Sequence, residues 1–387
     1  MSGRLDERAG AGGAGGAGAG AAAGAAGAQV PVSGPGGSTR SNLLARAARH
    51  PSTVPIAAVL LALLIGAGII AAAGYSPVTA YSAILTGALD PGNLDYTIST
   101  WGYILGMALA AAIPLRMAEF NLGGNGQLAL GGIVAVVVAS LPGLPGPVAV
   151  MAALVAAVVV GAAFSAIAAP LATRFGVPVI ISTLMLAPVG VAIASFLVRY
   201  PLAEPGSPVA QTPTVPVAAQ LLPLGELRYT NVGLLILIAA LVLFWFVDTR
   251  TSVGFELRVA GTNRTFAAYG GLRAGRLTLG SMSFAGAAAG LVGAVIVLSP
   301  PYRFIDGALI SPGYTTAGMA AAFLAGGRPA LLPITVALFT ILQVGGPAMQ
   351  RDAGIPGQLS TVIQGVVIVV LALRTVIARV QAGRGDS

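Results

Sequence analysis

Residues 119–132, EFNLGGNGQLALGG, hold much of the chemistry available to an otherwise apolar chain. Asn121, Asn125 and Gln127 supply three side-chain amides, each both donor and acceptor. Gly123, Gly124 and Gly126 fall within four residues and disfavour a regular helix, at up to about 1 kcal/mol each relative to Ala. Irregular backbone at membrane depth is tolerated only where it is buried in protein or lines an aqueous cavity. Two readings fit. In one, the amides form a polar wall along a solute path. In the other, the segment is a helix N-terminus at the membrane interface, with Asn as cap and Gly for close packing. Glu119 would be costly against lipid, which places it at the cytoplasmic boundary or in the bundle interior.

A second group lies at 254–276, GFELRVAGTNRTFAAYGGLRAGR. Phe255, Val259, Phe266 and Tyr269 alternate with polar positions and predict a short amphipathic helix across the cytoplasmic face, ended at Gly270-Gly271. Its arginines suit either a protein partner or a simple topological anchor. In the third group, Arg303 and Asp306 are expected to pair with each other at the outer surface. Such an exposed pair contributes about 0–1 kcal/mol, so the role is structural.

Much chemistry is excluded. The chain has no cysteine and one histidine, His50, so neither a metal cluster nor a thiol nucleophile is available. Its twenty basic residues are all arginine. Without lysine there is no P-loop and no Schiff base, so no catalytic, metal or ATP site is expected here. Any ATP and magnesium would be bound by another chain.

The elements that position these residues are membrane helices. Of 387 residues, 56% are hydrophobic and 8% charged, against about 25% charged in soluble domains. Apolar stretches of spanning length are expected at 54–73, 97–116, 124–141, 147–172, 177–198, 231–248, 278–298, 314–327, 329–346 and 358–374. The uncleaved first stretch is preferred over a signal peptide because its apolar part is too long. With an inner N-terminus, sixteen arginines fall on the cytoplasmic side, and only Arg199, Arg228, Arg303 and Arg351 fall outside. The expectation is an all-α bundle of about ten transmembrane helices with both termini cytoplasmic, in the cell membrane. The net charge of +8 then reads as topology and anionic-lipid contact, without the aromatic-studded basic stripe of a nucleic-acid binder. Residues 1–42 read as a disordered Ala/Gly-rich tail, 43–380 as the membrane domain and 381–387 as a C-terminal tail. The proline-rich loop at 199–230 should be extended. No span carries a central charge, which argues for an external energy source and an uncharged solute. A stand-alone secondary carrier or channel for a small neutral solute is the rival reading.

RMAEFNLGGNGQLALGG resembles the FNIG-x-EGQ segment of permease subunits of bacterial ABC importers, in the branch for nucleosides and simple sugars related to the branched-chain amino acid permeases. RVAGTNRTFAAYGGL is similar to that family's cytoplasmic loop, SFAGAAAGLVGA to the helix after it, and SPGYTTAGMAAAFLAGGRPALLPI to its C-terminal block. The likeness covers roughly 54–375. It implies alternating access powered by a separate ATPase subunit, with a second, different permease chain and an extracytoplasmic binding protein as partners. It also implies that Arg258, Gly261, Asn263, Arg264, Ala267, Ala268 and Tyr269 touch the ATPase, and that Asn121, Asn125 and Gln127 line the path. Asn125 departs from the Glu found in many relatives.

Overall fold

The structure, a computed structural model, describes residues 53–383. The expected 1–42 tail, His50 and residues 384–387 lie outside the described residues. The described chain is helical: α1 (Thr53–Ala72), α2 (Pro77–Leu89), α3 (Leu94–Leu115), α4 (Gly124–Ala139), α5 (Gly146–Ala166), α6 (Ala168–Phe175), α7 (Val179–Arg199), α8 (Val232–Arg250), α9 (Ser252–Thr262), α10 (Arg264–Tyr269), α11 (Ala274–Val297), α12 (Tyr314–Leu324), α13 (Leu332–Ala353) and α14 (Gln358–Gly383).

Six of these units are long and apolar enough to cross a membrane: α3, α5 with α6, α7, α8, α11 and α13 with the turn before it. The count reaches seven if α1 and α2, bent by 117° at their junction, form one span. Helix α4 and residues 358–370 are apolar but shorter, and α12 has only 11 residues. Helix α2 has no counterpart among the expected stretches. Its hydroxyl-rich sequence, PVTAYSAILTGAL, interrupts the apolar signal, yet Ser76 caps it and Pro77 opens it. Helix α14 runs to Gly383, past the tail boundary expected at 381.

The centre of the bundle is α11, laid against α4 and α5. Small residues make this possible. A Cβ on Gly293 would stand 2.1 Å from the Leu128 carbonyl, and one on Gly290 would stand 2.3 Å from the Ala157 carbonyl. Without lipid-phase hydrophobic attraction between helices, this close backbone approach supplies the packing energy. Gly293→Ala is therefore expected to cost about 1–3 kcal/mol, read as a lower unfolding midpoint in detergent. Gly280→Ala, on the same helix with open space around it, is the control and should be neutral or slightly stabilising.

The arginine-rich face and the opposite face differ in construction. On the opposite face, the segment between α7 and α8 is extended as expected, with a single 3-10 turn at Val217–Ala219. It pairs with the segment after α11: the Thr212 amide donates to Phe304 at 2.9 Å and the Val215 amide to Tyr302 at 2.8 Å. Arg303 and Asp306 do not pair with each other. Arg303 reaches Glu204 at 2.8 Å, while Asp306 meets Arg199 at 2.5 Å and accepts from Ser195 at 2.6 Å. Residues three apart are neighbours only on a helix, and 303–306 is not helical.

Candidate functional site

The arginine-rich face is organised by two ion-pair clusters. Helix α8 ends at Arg250, and its Asp248, 2% exposed, accepts from Arg116 at the end of α3 at 2.9 Å through one oxygen. The second Arg116 donor meets the other oxygen. Such a two-toothed pair fixes geometry as well as charge. Arg258 of α9 joins the same carboxylate at 3.1 Å. In the second cluster, Glu119, 4% exposed, accepts on one oxygen from Arg264 at 2.7 Å and from the Thr278 hydroxyl at 2.8 Å. Its other oxygen, Oε2, is buried without a partner.

These clusters fasten an elbow, α9 and α10 joined at Asn263, to the α3–α4 connection. Asn263 is an N-cap: its side chain accepts from the Phe266 amide at 2.9 Å. Gly261 faces inward, since a Cβ there would lie 2.2 Å from the Arg116 carbonyl. Ala267, 1% exposed, packs with Met117, Leu257 and Ala260. Outward stand Phe255, Phe266, Ala268 and Tyr269, the last 88% exposed. Of the seven elbow residues singled out from sequence, Asn263, Ala268, Tyr269 and part of Arg258 and Arg264 are thus on the surface. Gly261 and Ala267 lie beneath it.

Burial pushes the Glu119 carboxyl above its ordinary 4.5, against the pull of the Thr278 hydroxyl and the Arg264 charge. A carboxyl raised in the folded state binds its proton better when folded. Its contribution to stability is then greatest below about pH 4.5 and is lost as pH rises through the folded value. Glu119→Gln should flatten this slope, measured as unfolding midpoint against pH beside the wild type.

The three amides of the opening segment take unequal places. Asn121 and Gln127 close on each other: the Asn121 amide nitrogen donates to Gln127 at 2.9 Å, and Gln127 returns a bond at 3.1 Å. Gln127 also donates to Ser165 at 3.0 Å, and the Gly123 amide donates to Asn121 at 3.0 Å. Both side chains are buried, so in this conformation they fasten the turn between α3 and α4. Asn125 alone is half-buried. The glycines bring backbones together: a Cβ on Gly126 would meet the Ala187 carbonyl of α7 at 2.7 Å.

A cavity that the sequence reading missed opens near the start of α3. It measures about 280 Å³ and is lined by Asn93, Tyr96, Thr100, Tyr314, Gln343 and Arg351, among others. Tyr314 of its lining stands edge to face with Tyr103, 5.6 Å between ring centres. The signal was present. Tyr96, Thr100, Tyr103 and Met107, spaced four, three and four apart, form one face of an otherwise apolar helix. Ionisable, metal-ligating groups are sparse: among the described residues no three His, Cys, Asp or Glu gather as a metal would need.

Residues 93–372 match the family described as branched-chain amino acid transport system permease components. The nucleoside ABC transporter permease protein NupB of Lactococcus lactis subsp. cremoris is 30% identical over 84% of this chain and 91% of its own length. The glucose ABC transporter permease protein TsgB13 of Haloferax volcanii is 31% identical, over 85% and 89%. The guanosine ABC transporter permease protein NupP of Bacillus subtilis is 28% identical, over 82% and 92%. A chain of apolar spanning helices that such matches follow over most of its length is a multi-pass membrane protein, and it belongs to the family described as branched-chain amino acid transport system permease components.

Proposed function

We propose that this chain is the membrane-spanning subunit of an ATP-driven importer for a small, neutral, ring-bearing solute, a nucleoside or simple sugar. The solute class comes from the relatives named for nucleosides, guanosine and glucose. A tyrosine-lined cavity bearing amide and hydroxyl groups supports it. ATP and magnesium bind a separate ATPase subunit, a second permease chain completes the channel, and an extracytoplasmic binding protein delivers solute. The chain itself does no covalent chemistry.

The observation that carries this reading is the elbow. An outward aromatic edge, Phe255, Phe266 and Tyr269, sits on two helices that ion pairs tie to the ends of α3 and α8. A push on that edge is transmitted to spanning helices without slack. Contact with the ATPase falls to Phe255, Phe266, Ala268 and Tyr269. Gly261 and Ala267 shape the elbow from below, Asn263 caps α10 at its surface, and Arg258 and Arg264 anchor it. Asn125 remains the amide best placed beside a path. The arginine-rich face is cytoplasmic, with about ten membrane segments and both termini inside.

Reconstitution tests it. Proteoliposomes holding this chain, its second permease, the ATPase and the binding protein should take up labelled guanosine or glucose only with hydrolysable ATP. Uptake that persists with an ATPase unable to hydrolyse would favour a stand-alone carrier instead. In this cysteine-free chain, Arg264→Cys should resist an impermeant thiol reagent in intact cells, while Thr214→Cys, at an exposed position on the opposite face, should react.

A further inference from the structure

Among the described residues, Glu119 Oε2 is the one buried carboxylate oxygen without a hydrogen-bond partner. Such an atom is rare, because it forfeits its hydration for nothing. Its companion Oε1 is already engaged by Arg264 and Thr278. Glu119 lines a second cavity, of about 280 Å³, on the arginine-rich face. The same cavity is lined by Ala118, Arg264 and the start of α7, at Pro178, Val179 and Ile180.

The α7 wall carries the complementary lack. Helix α7 begins after Pro178 with no side-chain cap and no acidic residue in its first turn. The Ile181 and Ser182 amides both return to the Pro178 carbonyl. The Val179 and Ile180 amides come before them and have no carbonyl to reach within the helix. An acceptor without a donor and the positive end of a 21-residue helix thus share one cavity. The corner that leads into α7 is lightly packed. Gly176 ends α6 at φ 69°, and Thr173, Arg174, Phe175, Gly176 and Pro178 are exposed. One turn further on, the Leu122 amide donates to the Thr183 hydroxyl at 3.1 Å and supplies a pivot. We infer that Glu119 is the positioning residue that joins the elbow to α7: in the conformation alternate to this one, the first turn of α7 closes the cavity and its amides donate to Glu119 Oε2. Because Arg264 holds the other oxygen, a displacement of the elbow then moves α7 as well as α3 and α8. This rests on the permease reading above.

Glu119→Gln tests the joint at a single atom. The glutamine oxygen keeps the Arg264 and Thr278 bonds, while an NH2 group takes the place of Oε2, a donor facing donors. ATP-driven uptake of labelled guanosine or glucose should fall at least tenfold, with the unfolding midpoint and ATPase co-purification near those of the wild type. A residue that only braces the elbow would lose midpoint or ATPase along with uptake, and that result counts against the joint. Closure is read directly from Ala118→Cys with Ile180→Cys, two cavity-lining positions in a cysteine-free chain. A disulfide needs its Cβ atoms about 3.5–4.5 Å apart. The oxidation rate of the pair should differ at least tenfold between ATP-bound and nucleotide-free complexes, and adding Glu119→Gln should remove the difference by slowing the faster state. Wild-type uptake by Glu119→Gln overturns the joint, as does a cysteine pair that oxidises alike with and without that substitution, the result expected if water alone fills the cavity. If the wild-type complex takes up neither probe, the solute reading fails on its own, and the joint is still judged by whether Glu119→Gln slows oxidation of the pair.

Discussion

Asp248→Leu is expected to leave little folded permease in the membrane and no measurable uptake. The carboxylate is buried between two guanidinium groups, and it receives both donors of Arg116, whose side chain is 14% exposed. Removing it strands Arg116 in a site built for a pair. Breaking one side of a buried pair typically costs about 3–5 kcal/mol, whereas replacing both partners with apolar groups of similar volume is often neutral. The double variant Arg116→Met with Asp248→Leu should therefore recover much of the thermal stability and expression lost in the single variant. It should not recover uptake, because α3 and α8 would then be packed together at that face without the charge clamp that ties them to Arg258 and the elbow. Unfolding midpoints in detergent and ATP-dependent uptake separate the two effects. A single variant as stable as the wild type would show that the pair is an ornament of the surface.

The same cluster shows what a sequence does and does not disclose. The long apolar stretches were legible because lipid demands about 20 uninterrupted residues, a requirement local enough to read in order. Helix α2 was not, since its hydroxyls are satisfied by carbonyls of neighbouring turns: Thr86 donates to Ser82 at 2.8 Å, and Tyr81 reaches across to Leu63 at 2.7 Å. Polarity that signals a loop in isolation is absorbed once those partners exist. Arg116 and Asp248 are 132 residues apart, and Glu119 and Arg264 are 145 apart. No spacing rule connects such positions; only the packing of α3 against α8 and the elbow does. The amides of 121–127 illustrate the reverse error of emphasis. Their types suggested a polar wall, but the non-helical stretch that ends at Gly123 lets Asn121 fold back onto Gln127 in the first turn of α4. Two side chains that can satisfy each other leave less for a solute than their number implies. Gly261 likewise has the size to admit a partner, and what it admits is the Arg116 carbonyl of its own chain.

Ala268→Glu is expected to separate this chain from its ATPase without unfolding it. Ala268 is exposed on α10 beside Phe266 and Tyr269, 66% and 88% exposed, so a longer side chain meets no atom of the elbow itself. Its introduced charge would instead be carried into the interface formed by that aromatic edge. An unpaired charge desolvated at a contact costs several kcal/mol, and about 1.4 kcal/mol is already a tenfold loss of affinity. ATPase recovery on pull-down should drop at least tenfold and uptake should vanish, while the unfolding midpoint stays near that of the wild type. Tyr269→Ala should act in the same direction more weakly, since it removes contact area and adds no charge; buried aromatic anchors commonly carry 2 kcal/mol or more of binding at about that scale. Gly261→Ala provides the contrast. Its methyl collides with the Arg116 carbonyl, so it should lower the unfolding midpoint first and lose the ATPase only as a consequence. If Ala268→Glu and Tyr269→Ala both keep full ATPase recovery and full uptake, the exposed edge of α10 is not the contact, and the elbow is an anchor held by its ion pairs alone.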